Sequence, residues 1–147
     1  MGGHPWFYFV DYDADVNSAL QRLREREFQA GRYNPVIDFP DFPVTPESPA
    51  PGAGHDSIEE AFEEADADGT RSILDMMTVS DVPDYSAVAP LPQEDLLDLF
   101  GTERPTHEMI EESEELYDKL ERGQGVYIIV YKDGQPSEIF FAGYSFD

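Results

Sequence analysis

The sequence predicts an α+β fold: a small, mainly antiparallel sheet that includes a C-terminal β-hairpin and packs with about four helices and a Pro-rich loop. Three observations carry this prediction. Two apolar segments near the C-terminus flank Asp133-Gly134, the signature of a two-residue hairpin turn. Several stretches place apolar residues at helical spacing behind a capping residue. An aromatic run, Trp6-Phe7-Tyr8-Phe9-Val10, has the composition of a strand covered on both faces. The length of 147 residues fits a single domain over 1–147, and 10 Phe with 8 Tyr supply a core that a disordered acidic chain lacks.

The elements follow in order. After the first strand, Asp13 or Asp15 caps a helix that runs to Ala30 and stops at Gly31, with Val16, Leu20 and Leu23 as its apolar stripe. Residues 34–55 are punctuated by Pro35, Pro40, Pro43, Pro46, Pro49 and Pro51, which excludes a helix or a central strand. The segment nevertheless carries Val36, Ile37, Phe39, Phe42 and Val44, so its first half is expected to pack on the core and its second half to be mobile. Ser57 and Glu60 have capping-box spacing at the start of the next helix, lined by Ile58, Ala61, Phe62 and Ala65. Ser72 to Val79 reads as a helical turn or a short strand, and Asp81 to Pro90 as loop. Pro92 to Phe100 is a short helix closed by Gly101. Thr106 to Arg122 reads as one helix, with Met109, Ser113, Leu116 and Leu120 on a stripe that Ile110 and Tyr117 widen. Val126 to Tyr131 and Ile139 to Ala142 are the hairpin strands, with Ile128 opposite Ile139 and Tyr127 opposite Phe140. Both faces of this hairpin are apolar. Helices are expected on one face and a loop or a second subunit on the other. The uncovered aromatic surface also raises a possible homodimer.

Charge restricts function more than any motif does. Thirty-two acids face nine bases, a formal charge of −23. Such a surface repels nucleic-acid backbones and anionic membranes, so direct binding to either is not expected. There is no cysteine, which excludes disulfides, thiolate chemistry and cysteine-rich zinc sites. No secretory signal, membrane-spanning run or serviceable myristoylation site at Gly2 is found, so a cytoplasmic protein is expected. No cofactor motif occurs: the Gly-x-Gly pairs at Gly52–Gly54 and Gly123–Gly125 lack phosphate-loop context. His4, His55 and His107 lack metal-ligand spacing, and His55-Asp56-Ser57 has the letters of a triad without its geometry.

Four candidate sites emerge. Glu59, Glu60, Glu63 and Glu64, and later Glu108, Glu111, Glu112 and Glu115, are like charges one helical turn apart with no lysine among them. They suit docking on a basic protein surface, as an inhibitor, a neutralising protein or a nucleic-acid mimic would. The plain alternative is a solvated face. Glu64 to Asp75 fits part of a calcium loop through Asp66, Asp68, Gly69 and Asp75. Its first position is Glu, its last is a short Asp and Arg71 replaces an apolar residue, so no metal ligand is assigned. Glu27 lies inside the first helix's apolar stripe; it is either a general base or a structural carboxylate paired with Arg. Arg22, Arg24, Arg26 and Arg32 form a basic island that either holds an anionic ligand or, as the charge balance favours, pairs with the acidic helices.

An acidic interaction protein is therefore the leading expectation, and a binding role is favoured over an enzymatic one. The alternatives are a small enzyme or ligand-binding domain using Glu27, Arg32 and Tyr33 beside the Pro-rich loop, and a calcium-binding protein. A scaffold whose acidity, with lysines only at Lys119 and Lys132, reflects a high-salt host is a further one.

Overall fold

Five strands form one sheet: β1 (Pro5–Asp11), β2 (Thr78–Val79), β3 (Ala87–Pro90), β4 (Gly125–Lys132) and β5 (Gln135–Tyr144). This is a computed structural model that describes residues 4–146; Gly2 lies outside the described residues. The strand order is β1-β5-β4-β3-β2. The pairs β1–β5 and β5–β4 are antiparallel, whereas β4–β3 and β3–β2 are parallel, so the sheet is mixed rather than mainly antiparallel. The parallel half arises because Ala87–Pro90, read from sequence as loop, is β3. Its four residues are too short to show an alternation, and Pro90 sits at its end, where a missing N–H is tolerated.

Four helices complete the architecture: α1 (Val16–Ala30), α2 (Ile58–Ala65), α3 (Gln93–Phe100) and α4 (His107–Glu111). Their caps follow the sequence. Asp15 accepts from the Ser18 N–H, Ser57 from the Glu60 N–H and Thr106 from the Met109 N–H. Gly31 closes α1 in the left-handed region at φ 76°. The segment expected as one helix from Thr106 to Arg122 is instead α4 followed by a 3-10 turn, Glu115–Lys119. Carboxylates at Glu108, Glu111, Glu112, Glu114 and Glu115 repel along any continuous helix, and the break falls among them. As a result Ile110 and Leu116 are buried while Met109 is 42% exposed.

Each sheet face is covered within this one chain. Trp6, Tyr8, Ile139 and Phe141 pack beneath Leu20, Leu23 and Phe28 of α1, with Ala61 of α2 and Ile73 and Leu74 alongside. Phe140, Ala142, Ile128 and Val130 pack beneath Ile110 and Leu116, with Phe7, Phe9 and the α3 residues Leu96, Leu99 and Phe100 at the margin. The Pro-rich segment forms no helix or strand; Val36, Phe42 and Val44 pack on the α1-side core, while Phe39 is exposed. Among the described residues no helix is long and apolar enough to cross a membrane.

The hairpin turn is where the Asp-Gly signal places it, pairing Lys132 with Gln135. Beyond it the register slips by one at a bulge between Val130 and Tyr131, so Ile128 faces Phe140 and Ile129 faces Ile139. A one-residue slip exchanges sheet faces. It sends Ile139 and Phe141 towards α1 and Phe140 towards α4.

At the far end of the hairpin, glycine is required for space. A methyl group on Gly143 would stand 2.6 Å from the Gln124 carbonyl oxygen and 2.6 Å from Cζ2 of the fully buried Trp6. Gly143→Ala is expected to destabilise the fold by about 1–3 kcal/mol through overpacking. Urea denaturation checks this: an unchanged midpoint would mean that the Trp6 ring relaxes without cost.

Candidate functional site

The Glu27 carboxylate is built into a clasp at the end of α1. Helical spacing from Leu20 and Leu23 carries it inward, and its side chain is fully buried. Arg32 reaches back past the Gly31 turn and donates twice, Nε to Oε1 at 2.8 Å and Nη2 to Oε2 at 2.7 Å. Arg26 Nε adds a third bond to Oε2 at 2.8 Å. Guanidinium N–H groups meet both carboxylate oxygens, two on Oε2 and one on Oε1, which is the arrangement of a structural ion pair rather than of a free base. The Tyr8 phenol lies nearby; burial first, then the Glu27 charge, push its pKa up, and its hydroxyl accepts from the Ile73 N–H at 3.3 Å.

Tyr33 is not part of that clasp. Its ring stacks on Phe28, and its hydroxyl accepts from the Gly54 N–H at 3.2 Å and lies 2.9 Å from His55 Nδ1. His55 Nε2 in turn meets a Glu64 carboxylate oxygen. This Tyr33–His55–Glu64 chain ties the end of the Pro-rich segment to α2. Sequence reading missed it because its members lie in separate elements; the only signal was that Tyr33 and His55 bracket the run of prolines.

The calcium-loop residues do not converge. Asp66 and Asp68 are exposed in a 3-10 turn, Asp66–Asp68, whereas Asp75 is fully buried. Asp75 Oδ1 accepts from the Thr70 N–H at 2.6 Å and the Thr70 hydroxyl at 2.8 Å, and its Oδ2 lacks a hydrogen-bond partner. Burial raises its pKa to about 6, against the Thr70 bonds, the Arg71 amide and the Arg24 charge, which pull the other way. Among the described residues no group of three or more His, Cys, Asp or Glu is placed to hold a metal ion.

Among the described residues the basic island forms no ion pair with the acidic helices. Arg22 pairs with Asp13, and Arg26 and Arg32 with Glu27. Arg24 donates to Gln21 and, more distantly, to the Leu74 carbonyl. Elsewhere Lys119 is held by Asp95 and Asp98 of α3, and Arg104 lies over the Tyr131 ring. Glu59, Glu60 and Glu63 of α2, and Glu108, Glu112, Glu114 and Glu115, are exposed and pair with no cation among the described residues. Glu111 pairs with His107, as does Glu138. Burial pulls the His107 pKa down, but the hydrogen bond and charge of Glu138, with Glu111, more than reverse this, so it lies above the ordinary histidine value. A place in the first turn of a helix disfavours a charged imidazole, and at His107 these tertiary neighbours override that effect.

The two acidic surfaces lie over opposite faces of the sheet, since α2 packs on the α1 side and α4 on the other. The second is concave. The break after α4 opens a groove of about 440 Å³ lined by Leu99, Phe100 and Met109 together with Glu112, Glu114 and Glu115. Leu97, also on α3, is 46% exposed.

Comparison with known proteins finds no matching family model, no matching curated protein and no matching solved structure.

Proposed function

We propose that this chain is an acidic docking protein whose α3–α4 groove receives a basic segment of a partner protein. One observation carries the reading: the groove joins apolar side chains to carboxylates that the chain's own bases leave unpaired. An isolated acidic face would be met by solvent. A rim of Glu112, Glu114 and Glu115 around Leu99, Phe100 and Met109 matches a segment that alternates Lys or Arg with an aliphatic anchor. The α2 surface, with Glu59, Glu60, Glu63 and Glu64, faces away from this groove and serves as a second surface or as solvation. The enzyme alternative at Glu27, Arg32 and Tyr33 is weakened because the two guanidiniums occupy its base. The homodimer expectation loses its main support because helices cover both sheet faces.

The test is affinity capture on immobilised protein with a salt ramp, comparing wild type with Glu112→Lys/Glu115→Lys and with Glu59→Lys/Glu63→Lys. The groove reversal is expected to weaken retention of a defined basic partner at least tenfold, and the α2 reversal to change it less. A smear of basic proteins indifferent to both variants would overturn the docking role and favour acidity as adaptation to salt.

A further inference from the structure

The outer edge of β1 carries a second, smaller site, and we infer that it binds a short free peptide in its zwitterionic form. The site is independent of the α3–α4 groove. β1 is one of the two edge strands of the sheet. Its pairing with β5 fixes which backbone groups point outward. The Tyr12 N–H donates to the Ser137 carbonyl at 3.1 Å, and the Ser145 N–H to the His4 carbonyl at 3.0 Å. The hydrogen-bonded pairs with β5 are therefore the even-numbered residues from His4 to Tyr12. Phe7 and Phe9 turn their N–H and C=O groups away from the sheet, and no hydrogen bond meets them among the described residues. Two outward amides separated by one residue stand about 7 Å apart, the spacing that an added extended chain matches.

A cavity of about 190 Å³ opens on this edge, lined by Phe7, Phe9, Arg26, Val44, His107 and Glu111. It lies below the ~300 Å³ at which drug-sized pockets begin, so it admits a ligand of roughly two small residues rather than a long strand. Pro43 and Val44 of the Pro-rich segment form part of its wall and limit the length further.

The charges on the walls select the ligand. Arg26 and Arg32 share the single Glu27 carboxylate, which leaves that cluster one net positive charge. Arg26 uses only Nε in the clasp; among the described residues neither of its Nη groups has a partner, and its side chain is 49% exposed. A fork of this kind takes a carboxylate bidentately. On the wall formed by α4, Glu111 Oε1 lies 3.3 Å from His107 Nε2, and its Oε2 has no partner among the described residues. That carboxylate suits an ammonium group. A cationic fork, a carboxylate and an outward backbone edge together read a carboxylate, an ammonium and a peptide bond. A simple organic acid satisfies the first, an amine the second, and only a free peptide all three.

The test uses the full chain, with Ala-Ala as the probe, followed by calorimetry and by amide NMR shifts. Ala-Ala is expected to shift the Phe7 and Phe9 amides, and capping either end, as N-acetyl-Ala-Ala or Ala-Ala-amide, to weaken binding at least tenfold. Arg26→Gln and Glu111→Gln are each expected to weaken binding at least tenfold. Glu111→Gln lies at an exposed position and keeps the comparison valid if Arg26→Gln disturbs the clasp. No Phe7 or Phe9 shift up to ~10 mM peptide, a concentration that would report even weak affinity, overturns the proposal. So does equal binding of either capped form, or an unchanged affinity in Glu111→Gln.

Discussion

Glu27→Ala is expected to destabilise the fold by about 3–5 kcal/mol, the loss seen when one partner is removed from a buried ion pair. The clasp meets the condition for a loss of that size. The Glu27 side chain is fully buried and that of Arg32 only 14% exposed, so the pair is largely shielded from bulk water in the folded chain. Three charge-assisted bonds of 2.7–2.8 Å converge on the carboxylate. Removing it strands the Arg32 guanidinium and leaves a cavity beneath α1. The Tyr8 phenol, already disfavoured from ionising by burial and by the Glu27 charge, stays neutral and does not replace the lost acceptor. At about 2–4 °C per kcal/mol for a chain of this size, the thermal midpoint falls by about 10 °C. Glu27→Gln keeps the shape and one acceptor oxygen and is expected to lose less. Equilibrium urea denaturation at neutral pH, with the slope compared between variants, checks both. A loss below about 1 kcal/mol for Glu27→Ala would show that Arg26 and Arg32 rehydrate freely and that the clasp behaves as a surface pair.

The clasp also shows how far the sequence could be read. Periodicity placed Glu27 inside the apolar stripe, and the neighbouring arginines marked it as a paired carboxylate. The Gly31 stop, the Ser57 cap and the Asp133-Gly134 turn were equally legible, because each rests on interactions within a few residues. The failures lie where contacts are distant or where two local preferences compete. β3 depends on a parallel partner almost forty residues later, so four residues ending in Pro90 carried no visible pattern. The hairpin register slipped at a bulge that no residue type announces. The segment 106–122 had helical apolar spacing and helix-breaking like charges at once; spacing was given precedence, and the charges prevailed. That same break creates the α3–α4 groove, so the feature on which the docking proposal rests was hidden by the error. Arg26 and Glu111 come from elements separated in sequence by most of the chain, and only the fold sets them on one cavity.

Asp75 provides the second large effect, as a dependence of stability on pH. Its folded pKa of about 6 lies above the ordinary 3.8, because burial outweighs the Thr70 bonds, the Arg71 amide and the Arg24 charge. A carboxyl group raised in this way holds its proton more tightly in the folded chain than in the unfolded one. Between pH 4 and pH 6 the folded state therefore binds more protons, and stability falls as pH rises through that window. Above pH 6 the whole penalty is present; below pH 4 it is absent. The gap between about 6 and 3.8 corresponds to about 3 kcal/mol. The chain's other carboxyl groups also change charge over this range, so the measurement is a difference between two proteins. Asp75→Asn retains an oxygen for the Thr70 N–H and hydroxyl and carries no charge at any pH, which makes it a mimic of the protonated acid. The two proteins are expected to be about equally stable at pH 4. The variant should gain steadily to an advantage of about 3 kcal/mol by pH 7.5. Asp66→Asn, which removes one charge from an exposed position, separates this effect from general relief of the −23 charge. Urea denaturation across that range decides the matter. A constant difference between wild type and Asp75→Asn would mean that Asp75 stays ionised throughout, held by Arg24 and the Thr70–Arg71 amides more strongly than burial opposes it.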